Sequence, residues 1–127
     1  MGNEIGELRC CDAFLTLASE DFESLVDFYR RLLGQNPLSY RAEVYAEFQL
    51  PGMRLGIFKP KTENAAEFAG PSSGGLSLCL EVGDLEGAIA HLTYLGYPSP
   101  GAISTASHGR EIYAYDPVGN RIILHQS

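Results

Sequence analysis

The chain carries one pattern twice. Ala13-Phe14-Leu15-Thr16-Leu17-Ala18 reads as a strand, runs into a helix that closes at Gly34, and continues through strands to Leu55-Gly56-Ile57-Phe58. Leu76-Ser77-Leu78-Cys79-Leu80-Glu81-Val82 reads as a strand again. It runs into a helix that closes at Gly96 and ends in Arg121-Ile122-Ile123-Leu124. The helix starts at Asp21 and Asp84 lie 63 positions apart, and the turn glycines Gly52 and Gly119 lie 67 apart. A strand-helix-strands unit buries one sheet face under its helix and leaves the other face free. Two such units can curl around one shared cavity, so the chemistry depends on which side chains point into it.

The helices are the clearest elements. Phe22, Leu25, Val26, Tyr29, Leu32 and Leu33 recur at spacings of three and four and form one apolar stripe. Ser19 and Asp21 are candidate caps, Gly34 ends the helix, and Pro37 follows. In the second copy Asp84 caps a helix with Leu85, Ala88, Ile89, Leu92 and Leu95 on one side. Strands are predicted at about 12–18, 38–42, 43–50, 53–59, 76–82, 101–105, 110–115 and 120–125, with Pro51-Gly52 as a tight turn. Residues 60–75 are polar and rich in breakers and read as a linker. The expected architecture is α+β in one structural domain: a first βαβββ module at 8–59 and a second at 76–126, forming a curled mixed sheet around a cavity.

Composition narrows the partners. Lys and Arg total 9 against 16 Asp and Glu, a net charge of −7. That sign opposes nucleic-acid binding and docking on an anionic membrane. No apolar run reaches the roughly 20 residues of a membrane span. Met1–Glu7 is acidic with no apolar core, unlike a signal peptide, and a cytoplasmic location is expected. Cys10 and Cys11 are adjacent and bridge only with strain. With Cys79 they lack zinc-like spacing, so reduced, mostly buried thiols are expected.

Three motifs carry a resemblance. They are Ser19-Glu20-Asp21-Phe22-Glu23-Ser24-Leu25-Val26-Asp27-Phe28-Tyr29 ending in Leu32-Leu33-Gly34, Glu81-Val82-Gly83-Asp84-Leu85-Glu86-Gly87-Ala88-Ile89 ending in Leu95-Gly96, and Asp116-Pro117-Val118-Gly119-Asn120. In this order the chain resembles the vicinal-oxygen-chelate superfamily of glyoxalase I, extradiol dioxygenases, methylmalonyl-CoA epimerase, and fosfomycin- and bleomycin-resistance proteins. Metal-dependent members of that family place four ligands, His and Glu, on cavity faces of four strands. The resemblance puts those positions at Phe14, Gly56, Ser77 and Ile123. Phe, Gly and Ile offer no side-chain ligand, and a hydroxyl is a poor sole ligand. It therefore implies the family's fold without its usual metal site, and a protein without metal or cofactor.

Strand alternation from those positions turns Asp12, Thr16, Arg54, Phe58, Cys79, Glu81, Arg121 and His125 inward. The family pattern adds Tyr113 and Glu111, with Ala46 and Val44 as their first-module counterparts. The expected ligand-binding set is Phe14, Thr16, Gly56, Phe58, Ser77, Cys79, Tyr113, Ile123 and His125, with Gly56 leaving room in the floor. Glu111 is the candidate acid or base, because partial burial would raise its pKa. His125 also reads as a rim residue, His91 as a helix-surface residue, and His108 as a loop or lid residue. Asp116-Pro117-Val118-Gly119-Asn120 reads as a turn, with Gly and Asn accepting positive φ.

The expected function is binding of a small organic molecule in a cavity between modules, without metal, by a homodimer. It resembles the bleomycin-resistance branch, whose members sequester ligands in grooves between two subunits. Net acidity favours cationic ligands, while the absence of Trp disfavours stacking on planar ones. The alternative is a lyase, isomerase or dioxygenase with a displaced metal site drawn from Glu111, His125, His108, Glu81 and Asp12. A third reading is a dimerising interaction module that holds no ligand.

Overall fold

The structure is a computed structural model that describes residues 8–70 and 74–127. Each module builds its own four-stranded sheet. Strands β1 (Leu15–Ala18), β2 (Ser39–Arg41), β3 (Tyr45–Leu50) and β4 (Met53–Phe58) lie in the order β1-β4-β3-β2. Strands β5 (Leu78–Glu81), β6 (Ser104–Ala106), β7 (Gly109–Tyr115) and β8 (Arg121–Gln126) lie in the order β5-β8-β7-β6. The β1–β4 and β5–β8 pairs are parallel and the others antiparallel. The order repeats between the modules, as the duplicated sequence pattern requires. The two sheets are separate and leave a seam between β1 and β5.

Helix α1 (Phe22–Leu33) buries Phe22, Leu25, Val26, Phe28 and Tyr29, and closes on Gly34 in the left-handed conformation at φ 65°. Its cap differs from expectation. Asp21 occupies the cap position but makes no side-chain cap bond, and the Ser19 hydroxyl instead accepts from the Asp21 amide at 3.0 Å. Helix α3 (Leu85–Leu95) starts as predicted, with Asp84 accepting from the Gly87 amide at 3.0 Å. A short α2 (Ala65–Phe68), preceded by a 3₁₀ turn at Thr62–Asn64, lies inside the stretch that reads as a linker. Phe68 at its end packs edge-on against Phe58 at 5.1 Å, so this segment is tied to the first sheet.

One core serves both modules. Ala46, Phe48, Leu55 and Ile57 of the first sheet and Ile112, Ala114, Ile122 and Leu124 of the second are buried with the helix stripes. Helix α1 meets the second module through Phe28 against Tyr97, just beyond α3, at 5.1 Å, and the helices meet through the His91 ring on the Arg31 carbonyl at 2.9 Å. Because strand side chains alternate, the residues between these core positions stand on the opposite face.

Three expectations change. All three cysteines are free and exposed rather than buried, because Cys10 and Cys11 precede β1 and Cys79 stands on the open face. Ala46 is fully buried and Val44 lies before β3, so neither is the counterpart of Tyr113 or Glu111. Tyr45 and Glu47 take those places. Asn120 does not take positive φ; in the turn only Gly119 does, at 89°.

Candidate functional site

Register arranges the open faces in matched rows. In the first module Thr16, Gly56 and Glu47 lie side by side, and Ala18, Phe58 and Tyr45 form the next row. In the second, Cys79, Ile123 and Tyr113 lie side by side, followed by Glu81, His125 and Glu111. Duplication thus makes Gly56 equivalent to Ile123, Phe58 to His125, Glu47 to Tyr113 and Tyr45 to Glu111.

The first face is closed by its own polar network. The Tyr45 hydroxyl donates to Glu47 Oε1 at 2.7 Å, and Arg54 Nη1 donates to Glu47 Oε2 at 3.1 Å. Arg54 also pairs with Asp12 and lies 4.5 Å over the Phe14 ring. The Tyr45 hydrogen bond, then Arg54, holds the Glu47 carboxyl below its usual range. Burial, then Glu47, pushes Tyr45 up to about 12. The space above Gly56 is not vacant: a Cβ there would stand 2.7 Å from the Tyr45 hydroxyl. The room expected at Gly56 is filled by a side chain that the motif pattern did not reveal.

The second face is built differently. His125 Nδ1 lies 2.6 Å from Glu81 Oε1, and Glu81 Oε2 accepts from the amide and hydroxyl of Ser127, both at 2.9 Å. His108 Nδ1 lies 3.1 Å from His125 Nε2, with the ring centroids 5.2 Å apart and the planes 22° from parallel. Glu111 stands opposite His125 in the ladder. The His125 hydrogen bond, then Ser127, lowers the Glu81 carboxyl. Partial burial, then Glu111 and Glu81, raises the Cys79 thiol and keeps it protonated. Tyr113 is half exposed beside Ile123.

Between the faces, the seam opens into a cleft of about 400 Å³. Leu15, Leu17, Phe68, Leu76 and Leu78 supply apolar walls; Thr16, Tyr29, Ser77, Asn120 and Arg121 supply polar groups. Arg121 is held by Nη1, which donates to the Gly74 carbonyl at 2.8 Å and to Ser77 Oγ at 3.1 Å. No carboxylate lines this cleft among the described residues.

The expected ligand-binding set is therefore divided. Thr16 and Ser77 line the cleft, and Phe58 backs Phe68 in its wall. Phe14 and Gly56 belong to the Arg54–Glu47–Tyr45 network. Cys79, Ile123, Tyr113 and His125 lie on the second face with Glu111. Arg121, Phe68 and Asn120 line the cleft but are missing from that set. Arg121 was legible by alternation; Phe68 was hidden by the linker reading.

The positions that the resemblance assigns to the family's metal do not fit one. Phe14 lies under Arg54, Gly56 under Tyr45, and Ser77 accepts a hydrogen bond from Arg121. Ile123 is aliphatic, so the four supply no imidazole and no carboxylate.

No curated protein sequence matches this chain. Its fold matches a glyoxalase/bleomycin resistance protein from Catenulispora acidiphila at 27% identity and TM-score 0.67, covering 91% of this chain and 97% of that one. It also matches a bleomycin resistance determinant encoded on transposon Tn5 (23% identity, TM-score 0.67, 91% and 98% covered). A lactoylglutathione lyase from Agrobacterium tumefaciens matches at 16% identity and TM-score 0.69, with 93% and 95% covered. The family profile described as Glyoxalase/Bleomycin resistance protein/Dioxygenase superfamily matches residues 13–124. With the duplicated modules, that match establishes that the chain belongs to the Glyoxalase/Bleomycin resistance protein/Dioxygenase superfamily.

Proposed function

We propose that the protein binds a small organic molecule in the cleft between β1 and β5, without using the family's metal positions. The observation that carries this reading is the lining: among the described residues, apolar walls with a few polar groups and one positioned cation, Arg121. Such a mixture fixes the orientation of an organic ligand while burying its apolar body. The net charge of −7 favours cations at long range. Within a screening length of roughly 8–10 Å the nearest charge decides, and here that charge is positive. The ligand class is accordingly a small molecule with an apolar body and a carboxylate or other strong acceptor.

The binding unit is a homodimer in this reading. Phe14, Tyr113 and Tyr115 expose large aromatic surface, and a second copy laid over those faces would cover it. The likeness to a glyoxalase/bleomycin resistance protein and to a bleomycin resistance determinant supports a binding role.

The test is a thermal-shift screen of small carboxylates against matched uncharged analogues. A ligand at a hundred times its Kd stabilises the folded state by about 2.7 kcal/mol. Carboxylates are expected to raise Tm more than their analogues, and Arg121→Gln is expected to remove the difference. Equal shifts for both series, or shifts unchanged in Arg121→Gln, would contradict the reading.

A further inference from the structure

We infer that His108, Glu111 and His125 form a binding site for one transition-metal ion of the zinc type, displaced from the positions the family uses. It goes beyond the cleft reading and does not depend on it.

The side chains supply one ligand atom each, and all three atoms lie within 4.8 Å of one another. His108 Nδ1 and His125 Nε2 face each other at 3.1 Å. Two nitrogens bound to one tetrahedral zinc at about 2.0–2.1 Å are roughly 3.3 Å apart. The imidazoles thus already stand at the spacing of a shared ion. In its absence one proton between them makes a hydrogen bond. Glu111, opposite His125 in the ladder, offers a carboxylate oxygen within that same 4.8 Å.

The outer groups fit the same reading. His125 Nδ1 is engaged by Glu81, whose other oxygen is fixed by Ser127. A proton on Nδ1 leaves the Nε2 lone pair directed at His108. A carboxylate behind a ligating imidazole sets its tautomer and raises its basicity. The backbone is shaped for this contact as well. Gly109 takes φ +131°, and a Cβ there would meet His125 Nε2 at 3.0 Å and crowd the Gln126 carbonyl. Lack of a side chain at Gly109 lets the β6–β7 turn bring His108 onto His125.

The place in the sheet explains why the site is separate from the family's. His125 lies two residues beyond Ile123 on the same face, roughly 7 Å along the strand. The corresponding first-module row carries Phe58 and Tyr45, so the duplication supplies no second copy. Two imidazoles and one carboxylate suit zinc, cobalt or iron(II), and three protein ligands leave a coordination position open.

The experiment is titration of the untagged, metal-stripped 127-residue chain with Zn²⁺ by calorimetry and with Co²⁺ by visible absorption. Cys10 and Cys11 are replaced by Ser so that adjacent thiols do not compete. One ion per chain is expected, with the Co²⁺ spectrum of nitrogen and oxygen ligation. His108→Ala and His125→Ala are each expected to weaken binding by at least about 100-fold, and Glu81→Gln by about 10–100-fold with stoichiometry kept. His91→Ala is expected to change nothing. His108 is exposed in a turn, so His108→Ala decides the matter even if His125→Ala unfolds the protein. Absence of one-to-one binding, or binding undiminished in His108→Ala, overturns the proposal.

Discussion

The Tyr29 hydroxyl donates to Asp116 Oδ2 at 2.7 Å, joining the first module's helix to the turn that starts the second module's last strand. Both residues are buried. Asp116 also accepts from the amides of Val118 and Asn120 at 3.0 and 2.9 Å and from Asn120 Nδ2 at 2.7 Å. Burial, then Asp116, pushes the Tyr29 phenol far above its ordinary range, so it stays a donor. Tyr29 and Asn120 both line the cleft, so this bond also sets the cleft's floor. Tyr29→Phe is expected to destabilise by about 1–3 kcal/mol, as one buried acceptor loses a partner. Asp116→Ala should exceed it, since Tyr29 and the turn amides then lose theirs. Denaturant midpoints of the two variants check the order.

Gly56 and Tyr45 form a second sensitive contact. A methyl at Gly56 meets the end of a flexible side chain, so Gly56→Ala should fold while turning Tyr45 away from Glu47. The Tyr45 phenol should then titrate below about 12, closer to its usual range. In the native protein the raised phenol contributes stability that is complete below the unfolded pKa of about 10. That contribution is lost as pH rises towards the folded value. Ultraviolet titration of tyrosinate in Gly56→Ala against the parent reads the shift directly.

Arg110 holds Glu86 through a forked pair at 2.5 and 3.0 Å, and this bond, more than any other influence, brings Glu86 to about 2. A depressed carboxyl stabilises the fold above its unfolded pKa and loses that contribution as pH falls through the folded value. Stability should therefore decline between pH 4.5 and about 2, and Glu86→Gln should flatten that decline. The pair is solvent-exposed, so added salt should shrink the difference. Urea midpoints across this range at low and high salt check both statements.

Gly109→Ala combines a disfavoured positive φ with crowding against His125 and the Gln126 carbonyl. A loss of about 1–3 kcal/mol is expected, with His108 displaced from His125. The histidine ring resonances in NMR spectra should shift as the contact between the rings opens.

Much of this was legible in the sequence because strands and helices impose strict periods. The apolar stripes and Gly34 and Gly96 located both long helices, alternation placed Thr16, Cys79 and His125 on the open face, and the family resemblance placed Tyr113 there. Tyr45 and Glu47 were missed because counting back from the turn glycine ignores hairpin length. Pro51-Gly52 is a two-residue connection, whereas residues 116–120 make a five-residue one. The alternation Ala46, Phe48, Leu50 against Tyr45, Glu47, Gln49 carried the right answer. The meeting of His108 with His125 was not legible, since it depends on the β6–β7 register and on the space beside Gly109.

The most direct test of the cleft is a two-dimensional amide NMR titration with a small carboxylate from the screen. Shifts concentrated at Thr16, Ser77, Asn120 and Arg121, and absent in Arg121→Gln, are predicted. Shifts confined to the groove beside α1 at Arg30 and Tyr40, or none with any carboxylate tested, would contradict the account.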